Sequence, residues 1–107
     1  MKFDELLEKV RKNAGSKEIT TDDFLAVQVN ITGKESGVFY VELKDRKVSV
    51  EPYEYYDRNC AITMSLADFN KLIDGKLDPI LAFGTGKLKV DGDAGKALEL
   101  GKLLKKD

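Results

Sequence analysis

Residues 82–104, AFGTGKLKVDGDAGKALELGKLL, hold the types and spacing most suggestive of chemistry: closely set glycines, a Gly-Lys pair and a helix opening on Asp-Ala-Gly. These are the ingredients of a phosphate cradle. A P-loop requires a glycine, four residues, then Gly-Lys-Ser/Thr, so that backbone N–H groups wrap the phosphates and the lysine reaches them. Here the position five before Gly86 is Leu81, and Lys87 is followed by Leu88. The loop also runs toward a strand pattern, whereas a P-loop opens a helix. A G-x-G-x-x-G is missing as well, because Lys89 stands where the third glycine belongs after Gly84 and Gly86. The helix start near Asp93 offers free backbone N–H groups to an anion, but Asp93 is placed to take them as its own cap. Asp91-Gly92-Asp93 reads as a turn and that cap rather than as a metal pair.

Little other chemistry is on offer. The chain has no histidine, which removes imidazole catalysis and imidazole metal ligation. Its single cysteine, Cys60, permits no internal disulfide and sits beside an apolar strand as a core thiol would. The carboxylates fall on polar helix faces and in turns; no nucleophile–base pair and no metal constellation stands out, so neither catalysis nor a cofactor is expected. Lys plus Arg number 18 against 19 Asp plus Glu, a net charge of −1, which argues against a broad basic surface for nucleic acid. The opening MKFDELLEKV is amphipathic and acidic rather than a signal peptide, and no apolar run approaches the roughly 18 residues of a membrane span. The final LLKKD is not a peroxisomal tripeptide. A cytoplasmic, reducing location is the expectation.

The elements that would position these residues are legible in the hydrophobic spacing. Phe3, Leu6, Leu7, Val10 and Ala14 mark one face of a first helix, with Gly15 as its C-terminal cap. FLAVQVNIT, VFYVELK and KVSVE alternate with period two and are joined by GKESG and by Asp45-Arg46, predicting an antiparallel meander with one buried and one wet face. PYEYYDRN is a loop and CAITMS a fourth strand. Ser65 with Asp68 three residues on opens a helix carrying Leu66, Phe69, Leu72 and Ile73, closed by Gly75. Asp78 and Pro79 begin a short helix, LDPILAFG. KLKVD is a fifth strand, and Asp93 caps a last helix. The expectation is one α+β domain over 1–107, about two-thirds of whose unfolded surface is buried on folding. Its helices must cover the apolar side of the sheet.

In order and spacing, CAITMSLADFNKLIDGKLDPILAFGTGKLKVDGDAGKALEL resembles the sterol carrier protein type 2 family, and GVFYVELKDRKVSVE resembles that family's paired strands. The match runs from about Phe24 to Leu104 and lies in the series: a strand into Asp-Phe, a Gly-Lys-x-x-Pro elbow, Ala-Phe, then GKLKVDGD and a closing helix. The resemblance implies a five-stranded, mostly antiparallel sheet with helices over one face and an apolar tunnel between the layers. It implies a non-enzymatic carrier of fatty acids, fatty acyl-CoAs, sterols or phospholipids. In that setting the glycines of GTGK turn the chain from helix to sheet edge, and DGD turns it back into a helix.

The candidate lining follows from the apolar faces. The sheet offers Val27, Val29, Phe39, Val41, Met64, Leu88 and Val90; the helices offer Leu6, Leu7, Val10, Phe69, Leu72, Ile73, Ile80, Leu81, Phe83 and Leu98. These side chains either enclose a lipid or fatty acyl ligand or pack on one another. A ligand-sized void starts near roughly 300 Å³. Held empty, it costs on the order of 7 kcal/mol, against about 5–15 kcal/mol of net stability. A tunnel is therefore collapsed, mobile or occupied. Lys87, Lys89 and Lys96 are candidates for the phosphates of an acyl-CoA. Tyr53, Tyr55 and Tyr56 either form a mouth that touches membranes transiently or pack on the end of the sheet. The alternative function is a partner-binding module, such as a homodimer or accessory subunit, with a solid core and a sheet edge open to pairing.

Overall fold

The computed structural model describes residues 1–106; the C-terminal motif read above ends on Asp107, outside them. The first apolar stripe forms helix α1, Phe3–Gly15, which buries Leu6, Leu7, Val10 and Ala14. Its cap is Ser16, at φ −83°, so the left-handed glycine cap expected of Gly15 is not used and Gly15 closes the last helical turn.

The meander forms as β1 (Leu25–Thr32), β2 (Gly37–Lys44) and β3 (Lys47–Glu51). Asp45 and Arg46 make the two-residue hairpin between the last two, both left-handed at φ 52° and 63°. That hand matches the twist of the flanking strands. β4 (Cys60–Ser65) lies on the other side of β1 and runs parallel to it, from Val27 beside Cys60 to Thr32 beside Ser65. β5 (Lys89–Gly92) pairs antiparallel at the edge, giving the order β3-β2-β1-β4-β5. The sheet is thus mixed, with one parallel pair among mostly antiparallel neighbours.

The parallel pair obliges residues 52–59 to cross from the β3 edge over β2 and β1. They cross on the face opposite the helices. The Tyr55 N–H donates to Gln28 Oε1 at 3.2 Å, its hydroxyl donates to Glu42 Oε2 at 2.7 Å, and its ring meets Tyr40 edge-on at 5.1 Å. The supposed wet face is therefore partly covered. Ala26 and Gln28 are buried along with Leu25, Val27 and Val29. Asn59 ends the crossing on Ala26: its N–H donates to the Ala26 carbonyl at 2.7 Å, and its side-chain oxygen accepts from the Ala26 N–H at 2.7 Å.

Three helices complete the helical layer. α2 (Leu66–Ile73) is capped by Ser65, whose hydroxyl accepts from the Asp68 N–H at 3.1 Å. α3 (Pro79–Gly84) is capped by Asp78, and α4 (Ala94–Leu104) by Asp93. The layer meets the sheet around Phe39, which takes Phe3 and Phe69 edge-on at 6.1 and 5.8 Å. α4 is moored by the buried Asn13, whose amide donates to the Leu104 carbonyl at 2.9 Å. Beyond it the Lys106 N–H donates to Ile73 at 2.8 Å.

One core-facing row runs Val50, Val41, Val27, Cys60 and ends on Gly92. A Cβ on Gly92 would lie 2.7 Å from the Asn59 carbonyl oxygen and 2.9 Å from Cys60 Cα, at a φ of +107°. Gly92→Ala should therefore lower stability by about 2–4 kcal/mol, whereas Gly15→Ala, with open space around its Cβ, should raise it by roughly 0.5 kcal/mol. Urea unfolding of the two variants checks both signs.

Candidate functional site

Twelve of the expected lining residues form one continuous buried cluster: Leu6, Leu7, Val10, Val27, Val29, Phe39, Val41, Met64, Phe69, Leu72, Ile73 and Leu88. Val90 is half-buried against it. They sit together between the sheet and the helices. The other four stand outside that layer. Ile80, Leu81, Phe83 and Leu98 are 69%, 62%, 54% and 38% exposed. For the first three the reason is that α3 reaches the core through Ala82 alone, its one buried residue, while Leu98 lies on the side of α4 away from its buried Ala97, Leu100 and Leu104.

A cleft of about 700 Å³ opens instead between the α2–α3 link and α4. Its apolar surface comes from Leu72, Leu77, Pro79, Ile80 and Leu98, with Gly75 and Gly101 set in its walls. Leu72 also belongs to the core, so the cleft floor rests on it. Lys76, Lys102 and Lys105 stand around the cleft with a single acid, Asp78, whose carboxylate is engaged by the Ile80 N–H at 2.8 Å. Lys105 lies across Gly75, where an added Cβ would come within 2.9 Å of its chain. The α4 wall is a stripe at helical spacing, Leu98, Gly101, Lys102 and Lys105, while Ala97, Leu100 and Leu104 bury themselves on the other side.

The lysines expected to meet phosphates are not those of the cleft. Lys87 and Lys89 are exposed, and Lys96 reaches the Phe24 carbonyl and Glu99, each at 3.4 Å. The tyrosines divide. Tyr55 packs on the sheet, and its bond to Glu42, with burial and nearby carboxylates added, pushes its phenol up to about 12. Tyr53 and Tyr56 are 64% and 94% exposed. Cys60 is buried; desolvation foremost, then Asp93, raises its thiol to about 11, so it is a packing residue rather than a nucleophile. Asp93 accepts from the Lys96 N–H at 3.2 Å, as a cap does. In GTGK, the Thr85 hydroxyl donates to the Leu81 carbonyl at 3.0 Å and Gly86 takes φ +82°, turning α3 toward the edge strand. Among the described residues, no group of three or more His, Cys, Asp or Glu is arranged to hold a metal ion, and no helix is long and apolar enough to cross a membrane.

A five-stranded mixed sheet layered with amphipathic helices, with apolar side chains left open beside α3, defines an α+β protein. The SCP-2 sterol transfer family model matches residues 3–105, and the chain belongs to that family. It is 32% identical over 97 residues to hydroxysteroid dehydrogenase-like protein 2 of Rattus norvegicus, covering 90% of this chain and 18% of the relative. It is 43% identical over 68 residues to human sterol carrier protein 2, covering 64% of this chain and 12% of that protein. The chain thus spans about a fifth of the length of the first of these relatives. Palmitated SCP2L2 from Aedes aegypti, solved by solution NMR, superposes with a TM-score of 0.74 at 22% identity, over 97% of this chain and 95% of that one.

The frame of the cleft depends on an ion pair just before Gly75. Lys9 Nζ lies 2.5 Å from Asp74 Oδ1 and donates to Asn70 Oδ1 at 2.6 Å, joining α1 to the end of α2. The bond from Lys9 holds the Asp74 carboxyl below its ordinary value of 3.8. A carboxyl depressed in the folded state stabilises it above that ordinary value, and the stabilisation is lost as pH falls through the lower, folded value. Asp74→Asn should cost about 0.5–1 kcal/mol at neutral pH and show a shallower loss of stability below pH 4, measured by urea unfolding across pH.

Proposed function

We propose that this chain is a non-enzymatic binding protein for a long-chain lipid, and that the acyl chain lies in the cleft between the α2–α3 link and α4. The observation that carries this reading is that Ile80 and Leu98 are exposed on the walls of a cleft of about 700 Å³ floored by Leu72. That volume falls within the range of small-molecule sites, about 300–1,000 Å³. Affinity would come from burial, about 0.8 kcal/mol per methylene. Discrimination by chain length would be loose, since an apolar wall gains little from one methylene more or less.

The polar end of the ligand has partners of the opposite charge. Lys76, Lys102 and Lys105 suit a carboxylate or phosphate head group, and the one acid among the lining residues is already engaged as a cap. Membership of a sterol transfer family and the palmitated relative support a lipid ligand. The non-catalytic reading rests on the side chains around the cleft: apolar residues and lysines, with no nucleophile beside a base.

Gly101 supplies the test. It stands on the exposed stripe of α4, where an added Cβ would meet nothing within 4 Å. Gly101→Leu should place a side chain in the cleft without straining the helix, and stability should hold or rise. Palmitate binding by calorimetry should weaken about tenfold or more, since the acyl chain loses part of its seat. Unchanged affinity would move the ligand elsewhere. If native mass spectrometry of detergent-free protein gives a bare mass and added palmitate does not bind, the carrier reading falls. The partner-binding module then replaces it.

A further inference from the structure

Leu81 and Phe83 are not accounted for by the cleft. Both are large, apolar and more than half exposed, at 62% and 54%, and neither lines it. They share one turn of chain with Ile80, which is exposed and does line it. Large apolar side chains gathered this way on a surface mark a site of contact. Elsewhere the exposed apolar residues, such as Tyr56 on the crossing loop, carry their own polar group or stand apart.

The charge around this patch is mainly basic. Lys76, Lys102 and Lys105 stand on its cleft side. Lys87 stands on the other, between Gly86 and Leu88, whose N–H groups donate to the Phe83 and Ala82 carbonyls at 3.3 and 3.1 Å. None of these four lysines is in an ion pair among the described residues, where the pairs are Lys9–Asp74, Arg11–Glu51, Arg46–Asp22 and Lys96–Glu99. Two acids accompany them, Asp78, which caps α3, and Asp74, which is paired with Lys9 and also near Lys76. The chain as a whole has a net charge of −1, so this basic rim is a local feature.

We propose that α3 is a docking wedge for an anionic lipid surface: Leu81 and Phe83 enter the acyl boundary while Lys76, Lys87, Lys102 and Lys105 meet the head groups. Apolar insertion combined with lysine attraction is how a short segment holds reversibly at a charged bilayer. The proposal rests on the lipid-binding reading in one respect. A chain that is nearly insoluble in water must be taken from a lipid surface, and the patch runs through Ile80 into the cleft. Of the two placements set out for Tyr53, Tyr55 and Tyr56, Tyr55 takes the one on the sheet.

The test is co-flotation with phosphatidylcholine vesicles, with and without phosphatidylserine. The protein should float with the anionic vesicles, and added salt should release it. Leu81→Glu with Phe83→Glu should cut the bound fraction at least tenfold and leave palmitate binding from solution unchanged, with the far-ultraviolet circular dichroism of the native fold. Lys87→Glu should weaken binding to anionic vesicles only. Equal binding to neutral vesicles, or no effect of the Leu81 and Phe83 substitutions, would overturn the wedge. So would a dimer by sedimentation that those substitutions dissociate, which would give the patch to a second copy of the chain. Loss of palmitate binding to Gly101→Leu with flotation intact would separate the cleft from the wedge. Failure of palmitate to bind the native protein while it still floats would sink the cleft alone.

Discussion

The geometry of the candidate site follows from the shortness of α3. It has six residues, and only Ala82 touches the core. At about 100° per residue, an inward Ala82 places Leu81 and Phe83 on the two flanks and Ile80 about 200° away, on the far side. The three lie within about 160° of arc on the side away from Ala82, so the rotation that buries Ala82 turns all of them outward. A longer helix would have had a second inward position and could have closed over the gap. Asp78 and Pro79 fix where it begins, and Thr85 and Gly86 fix where it stops, so the helix can be neither lengthened nor slid.

The remaining helices are fixed around that gap by specific contacts. Phe39 receives Phe3 and Phe69 edge-on, which sets α1 and α2 on the sheet. Asn13 and the Lys17 ammonium take the carbonyls at the end of α4, and Lys106 closes back onto Ile73. α4 is therefore anchored at its C-terminal end to both α1 and the end of α2. The cleft lies between that anchored helix and the α2–α3 link. A ligand-sized void left empty within the core would consume much of a small domain's net stability. Keeping the apolar opening at the surface, between helices, avoids that cost.

Much of this was legible in the residues. The five strands, the four helices and the caps at Ser65, Asp78 and Asp93 follow from alternation, helical spacing and side-chain oxygens placed before apolar runs. So did the failure of the phosphate motif and the cap at Asp93, whereas Asp91 and Gly92, read as a turn, pair within β5. Three further things were not legible. The parallel pairing of β1 with β4 depends on where the 52–59 crossing goes, and period-two alternation is the same for either neighbour. The burial of Gln28 follows from that crossing. The outward face of α3 was missed because six residues carry too little periodicity to choose a side: Ile80, Leu81 and Phe83 read as core by type, and Ala82 is the residue that is. A signal for the cleft was present in α4, where Leu98, Gly101, Lys102 and Lys105 share one stripe and the buried residues share another.

Family membership and fold together make this a lipid-binding domain by kind, and the surface between α3 and α4 gives that kind a location. The most direct measurement is methyl-labelled NMR of the chain titrated with palmitate. Binding in the cleft predicts that Leu72, Leu77, Ile80 and Leu98 methyls shift and show contacts to the acyl chain while Val27, Val29 and Val41 stay in place. Contacts from those three valines instead would mean that the layers part and the chain lies between sheet and helices, contradicting the cleft.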